Sequence, residues 1–217
     1  MSLNNLIVPV LNRYDLLCRM IDSIDYPVDH LLIIDNGRQL PELKLPELVK
    51  EITVLSMPHN LGVAASWNLG IKSFPLADRW VFSSADTQYL PGALETLANS
   101  DLDKVTLAKD FPYWQTFALG REAVAKIGLF DENLYPIYYE DTDYALRASR
   151  LGVETIYAPI RVLHSNSSTI ASSASLAVQN MRTFDKNGKY LEAKKAAGDL
   201  TAGNWNLEIW RENSWQL

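Results

Sequence analysis

Two groups of acids in this 217-residue chain have the setting that chemistry on a charged substrate needs. Asp86 falls in Ser83-Ser84-Ala85-Asp86-Thr87, directly after the apolar run Trp80 to Phe82. A carboxylate on the loop after a central strand can hold a hard divalent cation, Mn2+ or Mg2+, whose other positions are filled by phosphate oxygens and water. The second group, Tyr138-Tyr139-Glu140-Asp141-Thr142-Asp143-Tyr144, puts three carboxylates in the first turn of a helix. Aromatic faces beside acids suit sugar rings, and partial desolvation raises an acid's proton affinity toward the range of a general base. Each group also has a plainer reading: Asp86 as a turn or capping residue, and the helix-start acids as complements to the helix dipole. His164 ends a short apolar run beside Ser165 and Asn166, as a further metal contact or as a polar strand end.

The elements that must position these residues follow from hydrophobic periodicity. Leu6 to Val10 reads as a strand, and Tyr14 to Ile24 as a helix with Leu17, Met20, Ile21 and Ile24 on one face, stopped by Pro27. His30 to Ile34, Ile52 to Leu55, Trp80 to Phe82 and Val105 to Leu107 read as further strands. Helices Val63 to Ser73 and Ala93 to Ala98 lie between them, and Gln39 to Val49 fits neither period. This alternation predicts an α/β fold with a mostly parallel central sheet flanked by helices. Beyond residue 110 the pattern loosens into an aromatic stretch, Phe111 to Phe117, a helix Arg121 to Ile127 and a turn Gly128 to Glu132. A helix Glu140 to Leu151, strands Thr155 to Ala158 and Val162 to His164, a Ser-rich loop and a helix Ser175 to Ala197 follow. The tail to Leu217 carries Trp205, Trp210 and Trp215 with little periodicity.

In an open parallel sheet, ligands bind beyond the carboxyl ends of the strands. Those ends are polar here: Pro9, Val10, Asn12 and Arg13; Asp35 and Asn36; Asn60 and Gly62; Ser84, Ala85 and Asp86. Any one of these is ordinary turn chemistry, whereas four on one rim make a ligand site an equal reading. Neither a Gly-x-Gly-x-x-Gly turn nor a P-loop follows the first strand, since the first glycine is Gly37, so phosphate charge has to be met by a metal. With 47% hydrophobic and 21% charged residues the composition is that of a globular protein. The net charge of -6 provides no positive field for a nucleic-acid backbone or an anionic membrane surface. A single cysteine, Cys18, fits a reducing cytoplasm; no apolar run is long enough to span a bilayer, so any membrane contact is expected to be peripheral.

In this order the pieces resemble family 2 glycosyltransferases of the GT-A fold, especially the rhamnosyltransferase-like branch. The resemblance runs from Leu6 to Ser168. It rests on Pro9-Val10 to Arg13, Asp35-Asn36-Gly37, Asn60-Leu61-Gly62 with Asn68-Leu69-Gly70, and Ser84-Ala85-Asp86-Thr87 with Leu90-Pro91-Gly92. Gly128-Leu129-Phe130-Asp131-Glu132, Glu140-Asp141-Thr142-Asp143 with Arg147 and Gly152, and His164 complete it. The resemblance implies that Asp35 lies near the nucleotide base and that Asn68 belongs to the donor site. It further implies that Asp86 is the last acid of the metal motif, that Asp141 is the general base, and that His164 helps hold metal or diphosphate. Ser84 replaces the first acid of the usual Asp-x-Asp, as in the branch where Asn-Pro-Asp is common, and Trp67 stands where many relatives have arginine.

The expected activity is hexosyl transfer with inversion, from a UDP-, TDP- or GDP-sugar to a hydroxyl of a glycan or protein, with Asp86 and His164 on the cation and Asp141 as base. Glu140 and Asp143 are expected to orient the base or the acceptor, and Trp114, Gln115 and Tyr139 to contact the acceptor. Residues 1–170 are expected to form the GT-A domain, with a nucleotide half to about residue 110 and an acceptor half after it. Residues 171–217 are expected to add a helix and a Trp-rich tail that covers the same domain or an oligomer interface. Two alternatives stand beside this reading: a noncatalytic nucleotide-sugar or carbohydrate-binding module, and a sugar nucleotidyltransferase, which would want a glycine-rich basic loop after the first strand.

Overall fold

The computed structural model describes residues 2–164 and 174–214. The Ser-rich segment after His164 and Trp215 lie outside the described residues. The chain opens with β1 (Leu6–Val10), α1 (Tyr14–Asp22), β2 (Val28–Asp35), β3 (Val49–Ser56), α2 (Gly62–Ser73) and β4 (Arg79–Ser83). It continues with β5 (Thr87–Tyr89), α3 (Ala93–Ala98), β6 (Val105–Ala108), β7 (Thr116–Gly120), α4 (Arg121–Ile127) and α5 (Glu140–Arg150). The last described elements are β8 (Thr155–Ala158), β9 (Val162–His164), α6 (Ala174–Ala196) and α7 (Leu207–Asn213).

Among the described residues a seven-stranded sheet has the order β3-β2-β1-β4-β7-β6-β8. Its pairings are parallel except around β7, which runs antiparallel to both β4 and β6. The inner strands β1, β4, β6 and β7 are buried on both faces, as a sheet covered by helices on each side demands, while the edge strand β3 exposes Lys50 and Glu51. Leu6, Val8, Leu31 and Ile33 join the core under α1 and α3, while the alternate residues Ile7, Leu32 and Ile34 join the core under α2, α4 and α5. Gly70 lets α2 lie against β1: a Cβ there would come within 2.6 Å of Ile7 Cγ2.

Three features depart from the sequence expectation. The stretch read only as aromatic, Phe111 to Phe117, runs into β7, and all five residues of that strand are buried, so it shows no polar alternation to betray a strand. The segment after Asp86 also holds a short strand, β5, which pairs antiparallel with β9 through Thr87 opposite His164. The tail, expected to be irregular, forms α7, capped where Asn206 Oδ1 accepts from the Glu208 amide at 2.9 Å. No described helix is long and apolar enough to cross a membrane.

Helix α6 is docked by buried charge. Lys194 Nζ lies 2.7 Å from Asp131 Oδ2 and 2.7 Å from Asp143 Oδ1, and Arg147 Nε donates to Asp143 Oδ2 at 2.8 Å. Two carboxylates and two cations thus balance one another, with Tyr190 Oη adding a bond to Asp131 at 3.0 Å. The remaining Arg147 N–H groups donate to the carbonyls of Ile127 and Leu129. Trp210 of α7 stacks on Tyr135 with ring centroids 4.2 Å apart.

Candidate active site

The carboxyl ends of β1, β2 and β4 open onto a cleft of about 360 Å³. Pro9, Val10, Asn12, Arg13, Asn36, Asn60, Gly62, Ser84, Ala85 and Asp86 line its sheet side, and Trp114, Gln115, Glu140, Asp141 and His164 close it. Four candidates from the sequence lie elsewhere. Asp35, only 2% exposed, spends its carboxylate on its own loop, accepting from Tyr14 Oη at 2.7 Å and from the Gly37 and Arg38 amides at 3.1 and 2.9 Å. Asn68 bonds the backbone of Phe130 and the Glu132 carboxylate, joining α2 to that turn. Asp143, 1% exposed, belongs to the buried network with Arg147 and Lys194 and not to an acceptor surface. Tyr139 turns its ring onto Phe184 of α6.

The third loop is built to be tight. Asn60 Oδ1 accepts from the Gly62 amide at 2.9 Å, and Gly62 has φ of 75°, the left-handed region that glycine tolerates. A Cβ there would sit 2.6 Å from the Pro136 carbonyl oxygen, so the loop and the segment at Pro136 touch backbone to backbone. Val63 N donates to that oxygen at 2.8 Å, and Tyr135 Oη donates to the Asn60 carbonyl at 2.8 Å. Asn36 completes the loop set, accepting from the Leu61 amide and donating to Ser66 Oγ.

Asp86 and His164 meet across the β5–β9 ribbon, with Asp86 Oδ1 2.9 Å from His164 Nε2. The carboxylate oxygen is a suitable donor for Mn2+ or the harder Mg2+, and the imidazole nitrogen beside it favours Mn2+ of the two. Among the described residues no group of three His, Cys, Asp or Glu side chains comes together as a ready metal site.

Across the cleft, Tyr138 and Tyr139 adopt φ of 81° and 73°, and this turn delivers Glu140 and Asp141 at the start of α5. Asp141 Oδ1 accepts from the Thr142 amide and hydroxyl at 2.6 and 3.1 Å. Burial pushes the Asp141 carboxyl up, against the pull of those bonds. Burial, then the neighbouring Asp141 charge, pushes Glu140 well above the usual carboxylate range. Several lining residues escaped sequence reasoning, among them Val63, Pro112, Pro136 and Ile137. Apolar residues and prolines of loops carry no signal that separates a cleft wall from packing, although Tyr138 was visible as an aromatic beside the acids.

The family model for glycosyl transferase family 2 matches residues 5–115, just over half of the chain. The chain belongs to that family. A family 2 assignment accords with a curated relative, a galactofuranosyl glycosyltransferase of Leishmania donovani, 22% identical over 270 residues. That alignment takes in 87% of this chain but only 62% of the relative's length. Among solved structures, GalNAc-T7 with UDP, GalNAc and Mn2+ superposes with a TM-score of 0.61 at 13% identity, over 98% of this chain and 54% of that one. A Drosophila β1,4-galactosyltransferase 7 mutant with manganese, UDP-Gal and xylobiose gives 0.54 at 12%, over 79% and 74%. An inositol-1-phosphate CTP transferase from T. maritima gives 0.55 at 14%, over 78% and 91%. At these identities the likeness shows the shared GT-A architecture, which family 2 has in common with nucleotidyl transfer.

Proposed function

We propose that this chain transfers a sugar from a nucleoside diphosphate to an acceptor hydroxyl with inversion, with Asp141 as general base and Asp86 and His164 as protein contacts of a divalent cation. The observation that carries the reading is that one cleft is lined by the Asp86–His164 pair on one side and by Asp141 on the other. Leaving-group and proton-transfer functions thus face the same space. The bond from the anomeric carbon to the diphosphate oxygen breaks, its electron pair staying on the diphosphate. The acceptor oxygen forms the new bond from the opposite face and its proton passes to Asp141, whose raised proton affinity suits it to that task. A cation held by Asp86 and His164 would neutralise charge on the departing diphosphate.

The galactofuranosyl relative and the neighbours solved with UDP, UDP-Gal and Mn2+ support a sugar nucleotide and a divalent cation. Nucleotidyl transfer finds less support, since the segment Pro9 to Arg13 has no glycine to cradle a triphosphate. A noncatalytic module would have no need of Asp86 and Asp141 in one cleft. Calorimetric titration of UDP, TDP and GDP, each with Mn2+ and with EDTA, tests the reading on the wild type and on Asp86→Ala. One nucleotide should bind with Mn2+, weakening about tenfold or more with EDTA or in the variant, as loss of a charge-assisted contact requires. A folded wild type that binds none of them sinks the proposal. The nucleotide that binds also narrows the donor.

A further inference from the structure

Three exposed aromatic rings stand together on the rim of the sheet that carries the cleft. Phe111 is 79% exposed, Tyr157 54% and Tyr113 39%. Tyr113 meets Phe111 at 5.8 Å between ring centroids and Tyr157 at 5.1 Å, edge to face in both cases. Phe111 and Tyr113 follow the carboxyl end of β6, and Tyr157 is the last residue but one of β8. Strands β6 and β8 are parallel, and both share the direction of β4, because β7 runs antiparallel to β4 and to β6. The rings therefore lie at the same ends of the strands as the cleft, where an open sheet of this kind takes its ligands. The chain itself makes the link closer: Pro112 and Trp114, which alternate with Phe111 and Tyr113, line the cleft.

Other exposed apolar side chains are of a different kind. Leu45, Leu76 and Met181 are aliphatic, Phe184 packs on the rings of Tyr138 and Tyr139, and Trp205 packs on Trp210. Clustered rings in solvent offer flat apolar faces with phenol hydroxyls at their edges, which suit a partner that is itself apolar on its faces and polar at its rim. Lys109 and Asp110, both exposed, directly precede Phe111 and supply donors and acceptors beside the rings. A purely apolar partner would desolvate these charges without pairing them, whereas the hydroxyls of a sugar ring satisfy them. The size of the cleft says which sugar that is. Its volume of about 360 Å³ lies at the lower end of the roughly 300–1,000 Å³ typical of a small-molecule site, so a sugar nucleotide fills it and an acceptor extends outside. Resting on the transferase reading above, we propose that Phe111, Tyr113 and Tyr157 form an accessory acceptor subsite, holding a sugar ring removed from the one whose hydroxyl is glycosylated. The acceptor is then a glycan chain longer than a monosaccharide, and not a bare protein side chain.

The probes are mono-, di- and trisaccharides of glucose, galactose, galactofuranose, mannose, rhamnose and N-acetylglucosamine, screened as an immobilised array in Mn2+ with the nucleotide that binds. Calorimetry then compares the best oligosaccharide with its own monosaccharide. The proteins are the wild type, the double variant Phe111→Ser with Tyr157→Ser, and Tyr157→Phe, with a circular-dichroism melt to verify folding. Tyr157→Ser alone replaces the double variant if that one does not fold. On the wild type the oligosaccharide should bind about tenfold more tightly than the monosaccharide, as stacking on two or three rings supplies. The double variant should lose that gain while monosaccharide and nucleotide affinities hold within about twofold, and Tyr157→Phe, which keeps the ring, should retain it. An array on which no oligosaccharide exceeds its monosaccharide, or a gain that persists in the double variant, overturns the subsite and leaves the transferase reading standing. So does light scattering that finds the wild type dimeric and the double variant monomeric, which makes the rings an interface between two copies of the chain. A folded wild type that binds no nucleotide overturns the transferase reading and the acceptor role with it.

Discussion

The side-chain amide of Asn187 donates to the carbonyl oxygen of Ile137 at 2.9 Å, so a residue of α6 holds the turn that delivers Glu140 and Asp141. The same amide reaches the Tyr138 carbonyl at 3.3 Å. Tyr138 and Tyr139 sit at positive φ, which costs a non-glycine residue on the order of 1–3 kcal/mol, and that strain persists only where the surroundings impose it. Asn187→Ala is therefore expected to lower kcat about tenfold while nucleotide affinity stays within about twofold, because the base moves and the donor loops do not. Steady-state kinetics beside calorimetry checks this; an unchanged kcat would show that the turn holds its shape without α6.

Asp141→Asn removes the proposed proton acceptor while keeping size and shape. Transfer should fall by about 10²–10⁴, the range general-base catalysis supplies, with donor affinity nearly intact. Substantial residual turnover in a product-release assay would remove Asp141 from the role of base.

The Glu140 carboxyl is raised from its ordinary 4.5 by burial first and by Asp141 second. Its sign follows from linkage: above the unfolded value the native state holds the proton more tightly than the unfolded chain, so this group's contribution to stability declines as pH rises through that window. Glu140→Gln should thus melt higher than the wild type at pH 8, by about 2–4 °C for each kcal/mol recovered, and the gap should close toward pH 4. Equal melting temperatures across that range would contradict the burial of an ionisable group here.

Lys194 bridges Asp131 and Asp143 in a site closed to water. Lys194→Met leaves two buried carboxylates with one cation between them and is expected to cost about 3–5 kcal/mol in denaturant unfolding. The accompanying change Asp131→Asn should recover part of the loss, since it removes the uncompensated charge. If the single variant were as stable as the wild type, α6 would have to be held by its apolar contacts alone.

What was legible in the sequence is the scaffold and the order of acids along it. Asp86 and Asp141 stand out because each follows an element boundary that hydrophobic periodicity marks, after Phe82 and before α5. Asp35 and Asp143 are acids at equally good boundaries and Asn68 is a polar residue inside α2, yet they serve backbone amides, a buried ion network and a neighbouring turn. Type and position do not distinguish a polar group facing a ligand from one facing its own chain; only the third dimension does. Strand β7 was hidden for a related reason, because Thr116 to Gly120 is buried on both faces and has no period to read. The partner of Asp143 was hidden by distance, since Lys194 lies on a helix that the sequence marks only as a trailing extension.

The backbone contact between Gly62 and Pro136 bears on how substrates come and go. It joins the part of the chain that supplies the loops after β1 to β4 to the part that supplies Asp141, and Tyr135 Oη bonded to the Asn60 carbonyl repeats the join. A cleft sutured along its base does not gape like a jaw. On the transferase reading, donor and acceptor would then arrive and leave through the open mouth of the cleft and not through a hinge between these two segments.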